Sequence, residues 1–146
     1  MLEFSISGLD AVLSGFDKMR LRSGDLRPLL LELGEDLTES TKQRFVTTTA
    51  PDGTPWAKNS DVTLAHKSGS RPLTDGGFLA DSIKPKLVGD DTVQVAPDKE
   101  YAAMMQFGGT KAEFPDLWGD IPARPYIGFS DEDEQNILAK SIKYLL

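Results

Sequence analysis

The sequence predicts an α+β fold, with long N-terminal and C-terminal helices packed on one face of a small antiparallel sheet and two long loops between them. Three observations predict it. Leu26, Leu29, Leu30, Leu33, Leu37, Thr41 and Phe45 recur at helical spacing along one face. Gly89-Asp90-Asp91 is turn chemistry between two short runs that alternate as strands do. Ser130 followed by Asp131, Glu132, Asp133 and Glu134 reads as the capped, acidic start of a final helix.

The elements follow in order. Leu2, Phe4 and Ile6 alternate with polar residues over 2–6, the period of a strand, and Gly8 ends it. Leu9, Val12, Leu13, Phe16 and Met19 then form an amphipathic helical stripe, which Ser23-Gly24 interrupts. In the long helix that follows, Asp25 is the expected N-cap and Pro28 sits in the first turn, where its missing N–H costs little. The β-branched run Val46-Thr47-Thr48-Thr49 is expected to fray its end.

Residues 49–77 are interrupted by Pro51, Gly53, Pro55, Gly69, Pro72, Gly76 and Gly77. Their apolar anchors are chiefly Trp56, Val62, Leu64 and Leu73. A connection this long is expected to be functional or mobile, with a short helical turn around Asp61–His66. Phe78–Ile83 opens the next ordered region, and Lys84–Val88 and Thr92–Ala96 form the hairpin. Lys99–Phe107 reads as a two-turn helix stopped by Gly108-Gly109. After a second loop, Arg124–Phe129 is expected to add a strand, confined to an edge or a strand end by Pro125. Ile137, Leu138, Ile142 and Leu145 are the expected buried stripe of the last helix.

At 146 residues the chain fits a single domain, 1–146, able to bury a real core. A formal charge of −7 and a pI near 4.7 argue against a broad grip on nucleic acid phosphates. They leave room for local contact through Lys18, Arg20, Arg22 and Arg27, and suit a channel wall past which DNA slides without sticking. Cysteine is absent, so disulfides and thiolate metal sites are excluded. With no basic-then-apolar leader and no run approaching about 18 apolar residues, the chain reads as soluble and made in the cytoplasm.

Catalytic chemistry finds little support. His66, the one histidine, lies in a polar loop and reads as a solvated residue. No Gly-x-Ser-x-Gly elbow, dinucleotide fingerprint or phosphate-binding loop is present. Consecutive acids at 131–134 diverge around a helix and do not converge as a coordination shell does. Asp116 and Asp120 near Glu113 could meet in a loop, which keeps a metal-dependent hydrolase or nuclease as an alternative. No catalytic, cofactor or metal residue is assigned. Phe114, Leu117 and Trp118 either cap the domain's own core or form an arm that docks on a partner.

Several segments together resemble the phage virion morphogenesis family, the tail-completion proteins of Mu-like and P2-like contractile phages. The matching pieces are Arg44-Phe45, Pro51-Asp52-Gly53 with Trp56, and Arg71-Pro72-Leu73 with Gly77, Leu79, Ser82 and Ile83. Tyr101-Ala102, Gln106-Phe107-Gly108 and Ile121-Pro122-Ala123-Arg124-Pro125-Tyr126-Ile127-Gly128 complete the pattern. Gly76 departs from the family's usual Thr, and Met105 from a His. The resemblance implies a structural, non-enzymatic virion protein without cofactors, at the head–tail junction, reaching it from the host cytoplasm. It further implies a self-assembled ring, six-fold to match the tail tube, contacting tail and neck proteins and passing genomic DNA without specific binding or membrane contact. A non-ring adaptor for another phage or host protein is the main alternative. Candidate interface residues are Phe114, Leu117, Trp118, Arg124 and Trp56, and Tyr101, Gln106, Phe107, Gly108, Pro122, Pro125 and Gly128 are expected to be scaffold.

Overall fold

The computed structural model describes residues 24–67 and 69–145, with isolated positions 14 and 17. The expected strand at 2–6 lies outside the described residues, as does the expected helix at 9–19 apart from those two positions. Helix α1 (Arg27–Thr47) leads to a short α2 (Asp61–His66), then α3 (Phe78–Ser82), β1 (Lys84–Val88), β2 (Thr92–Ala96), α4 (Ala102–Phe107) and α5 (Asp131–Leu145). The predicted α+β class holds. β1 and β2 pair antiparallel, from Lys84 opposite Ala96 to Val88 opposite Thr92.

Helix α1 joins two apolar clusters. Its first turns place Leu26, Leu29, Leu30 and Leu33 against Ile137 of α5, with Leu87 and Val93 of the hairpin packed alongside. Its last turn places Phe45 among Trp56, Leu79, Ile83, Ala102, Tyr126 and Ile127. The hairpin can approach α1 closely because position 34 is glycine. A Cβ there would stand 2.7 Å from Val93 Cγ2 and 2.9 Å from Pro85 Cβ, inside contact distance.

Four expectations need correction. Leu26, not Asp25, occupies the N-cap of α1, and no side chain caps it. Asp25 instead accepts the Arg27 N–H at 3.1 Å and its Nε–H at 3.0 Å, one residue out of register with the usual capping geometry. The two-turn helix at 99–107 starts only at Ala102. On α5 the buried positions are Asp133, Ile137 and Ser141, whereas Leu138 and Ile142 are exposed. The i, i+4 line through Asp133 sets that face, because Asp133 is drawn inward by a buried cation. Last, residues 124–129 form no strand, although they run through the core. Their hydrogen bonds go to side chains instead, as described next.

Candidate interaction surface

The segment 124–128 is held by four residues far from it in sequence. Gln106 Oε1 accepts the N–H groups of Tyr126 (3.0 Å) and Ile127 (3.1 Å), and its Nε2 donates to the Ile127 carbonyl at 3.2 Å. Arg44 Nη1 donates to the carbonyls of Tyr126 (2.8 Å) and Gly128 (3.2 Å). Trp56 Nε1 donates to the Pro125 carbonyl at 2.8 Å, and the Arg124 N–H donates to the Met105 carbonyl. Side chains thus do what a neighbouring strand would have done. Pro125 has no N–H to offer a strand in any case.

Arg44 also donates from Nη2 to Asp133 Oδ2 at 2.6 Å, and both side chains are buried. Burial pulls the guanidinium down from its usual range, and the Asp133 charge opposes that pull. The same Asp133 oxygen accepts the Ser130 N–H, while Ser130 Oγ accepts the Asp133 N–H, closing a capping box on α5. Tyr126 is fully buried, and its hydroxyl donates to the Ala102 carbonyl at 2.8 Å. Burial first, and the nearby Tyr101 second, push its phenol well above the ordinary range. No buried side-chain nitrogen or oxygen among the described residues lacks a partner.

Two glycines let this knot close. Gly108 has φ +73°, and a Cβ there would meet the Ile121 oxygen at 2.6 Å and the Ala123 nitrogen at 2.7 Å. At Gly128 the obstacle would be Pro51 Cγ, 2.7 Å away. Of the expected scaffold residues, Gln106, Gly108, Pro125 and Gly128 therefore hold the interior together. Tyr101, Phe107 and Pro122 are exposed, with Phe107 the most open of the two aromatics.

The five candidate interface residues divide. Trp56 is buried against Phe45, edge to face at 5.5 Å between ring centroids. Arg124 is buried too, its Nε donating to the Ala57 carbonyl (2.8 Å) and its Nη2 to that of Lys58 (3.0 Å). Both anchor the 49–77 connection to the body and present nothing outward. Trp118, Phe114 and the half-buried Leu117 do face outward, Trp118 with 61% of its surface exposed.

Trp118 does not stand alone. It stacks on His66 at 4.3 Å between ring centroids, so the two long loops meet. His66 is exposed, as the sequence predicts, but no spacing signal in the sequence points to this contact. His66 Nδ1 lies 2.8 Å from the Val62 carbonyl, one turn back on α2, which orients the ring. Between the loops runs a groove of about 420 Å³ lined by His66, Lys67, Leu73, Tyr101, Trp118 and Ile121, among others. Ser60 caps α2, its Oγ accepting the Thr63 N–H, and this fixes one wall.

Among the described residues, no group of three or more His, Asp or Glu could hold a metal ion. Asp120 accepts the Lys111 N–H at 2.9 Å and Glu113 accepts the Thr110 hydroxyl at 2.8 Å, so both carboxylates brace their own loop. No described helix is long and apolar enough to cross a membrane.

Comparison with known proteins gives one consistent result. The chain is 40% identical over 107 residues to the putative capsid assembly protein G of Escherichia phage Mu, covering 69% of this chain and 67% of that one. It is 28% identical over 125 residues to the tail completion protein S of Escherichia phage P2, covering 76% and 78%. A Mu-like prophage FluMu G protein 2 from Haemophilus influenzae matches at 26% over 138 residues, covering 94% and 91%. No solved structure gives a significant match. The model of the phage virion morphogenesis family matches residues 8–145, nearly the whole chain, and the chain belongs to that family.

Proposed function

We propose that this chain is a structural protein of the phage particle that completes the tail and helps join it to the head, acting as a ring of identical copies at that junction. One observation carries the reading: the polar residues of the family pattern are spent on internal hydrogen bonds, while Trp118 and Phe114 are left at the surface. A body so constructed presents a fixed surface for assembly. The P2 relative is named for tail completion, which supports the same role. The net charge of −7 suits a lumen through which DNA passes without adhering. The 49–77 connection, anchored at Trp56 and Leu73, offers its α2 portion as a second contact.

Trp118→Ala tests the role of the exposed shelf. The side chain is mostly in solvent, so monomer stability should change by no more than about 1 kcal/mol in urea unfolding. Assembly into particles, scored by complementing a deletion of the gene in its own phage or prophage, should fall sharply. Collapse of the monomer would instead assign Trp118 to capping its own core. Labelling the chain and imaging particles then tests its place. A label between head and tail supports the proposal, and a label elsewhere, or none in the particle, overturns it.

A further inference from the structure

The surface carries two grooves of opposite charge. The aromatic groove beside Trp118 has Lys67, Arg124 and Asp75 in its wall; burial lowers the affinity of Lys67 for its proton, the Asp75 charge opposes that, and Arg124 and then Arg71 add to the lowering. Lys58 flanks it, since its carbonyl holds Arg124. Across residues 56–75 Lys58, Lys67 and Arg71 stand against Asp61 and Asp75, a local excess of positive charge on a chain whose net charge is −7.

The second groove, of about 560 Å³, runs between α1 and the start of α5 and includes Asp36, Glu39, Pro51, Glu132 and Asn136 in its lining. Asp36 is occupied by Lys140 and Asn136. Glu39 and Glu132 are exposed and have no ion-pair partner among the described residues. The adjoining surface groove adds the exposed Glu35.

The two grooves have no lining residue in common, so one copy can offer the first while it accepts a neighbour at the second. That is the requirement for a heterologous, head-to-tail contact. Opposite potentials also let copies with a large like charge approach each other in a single orientation. We infer that the acidic α1–α5 groove of one copy docks against the basic rim, Lys58, Lys67 and Arg71, of the aromatic groove of the next. This inference rests on the ring reading above and names the surfaces that would meet. Trp118 then lies at the centre of the contact and the charges at its margin, where they set orientation and salt dependence more than strength.

Two charge-reversed proteins test the pairing. One carries Lys58→Glu and Arg71→Glu, and the other Glu39→Lys and Glu132→Lys. All four side chains are exposed, and thermal melting of each protein checks that its fold is kept. Wild type should self-associate in sedimentation at high concentration, weakening about ten-fold or more as salt rises through the screening range. Each variant alone should remain monomeric. Mixed in equal amounts they should associate, because every contact in an alternating array then joins opposite charges. Variants that associate alone, or a mixture of folded variants that stays monomeric, overturn the pairing while the ring reading stands. A wild type that stays monomeric at every concentration overturns both.

Discussion

Gln106 and Arg44 show how much of the fold depends on single side chains. Gln106 makes three hydrogen bonds to a buried backbone segment, so Gln106→Leu leaves two N–H groups and a carbonyl unsatisfied. Urea unfolding should record a loss of about 3 kcal/mol, and a loss below 1 kcal/mol would mean that water takes over those bonds. Arg44→Met strands the Asp133 carboxylate in the interior and should cost about 3–5 kcal/mol. Adding Asp133→Leu should recover a large part of that, since removing both charges is milder than removing one. If the double variant is the weaker protein, the capping of α5 by Asp133 outweighs the ion pair. At this scale the sequence is least legible. Arg44 stands beside the stripe of α1 and Asp133 reads as one of four acids in the first turn of a helix. Only the fold brings them within 2.6 Å across 89 residues.

The elements themselves were largely legible, because periodicity and turn chemistry are local. The stripe from Leu26 to Phe45, the hairpin around Gly89 and the glycine stop after Phe107 all form where those patterns lie. Two of the four failures share a cause. The missing strand at 124–129 and the rotated face of α5 both follow from side chains reaching across the molecule, which no window of sequence contains. Gly34 is a similar case, a glycine inside a helix whose reason lies in the hairpin packed against it. Its replacement weighs two opposed effects. Gly34→Ala gains about 1 kcal/mol of helix propensity but overpacks the hairpin at a cost of about 1–3 kcal/mol, so a small net loss is expected. Gly34→Leu should lie at the upper end of that range in urea unfolding. A stabilised Leu variant would show that the hairpin can move away freely.

For the whole molecule, acid is the sensitive side. Burial would raise Asp36, but hydrogen bonds from Lys140 and Asn136 prevail and hold it below the usual carboxylate value of 3.8. Asp25 is lowered by the Arg27 side chain, and Asp52 by the backbone N–H of Thr54. Groups depressed in the folded state contribute stability above their unfolded value and lose it as pH falls through the folded one. Unfolding midpoints in urea should therefore be flat from neutrality down to about pH 4 and fall below it. A protein whose midpoint is the same at pH 6 and pH 3 would show that these bonds contribute nothing.

The Arg44–Asp133 pair also bears on how the chain is made. Arg44 leaves the ribosome 89 residues ahead of Asp133, and the segment it binds at Tyr126 follows it by 82. Until the last helix emerges, the long helix carries a cation with no counterion in the place where the interior should form. A truncated product would have to bury that charge unpaired or remain open to proteases. Synthesis must therefore run past Asp133 before the body can close around Arg44.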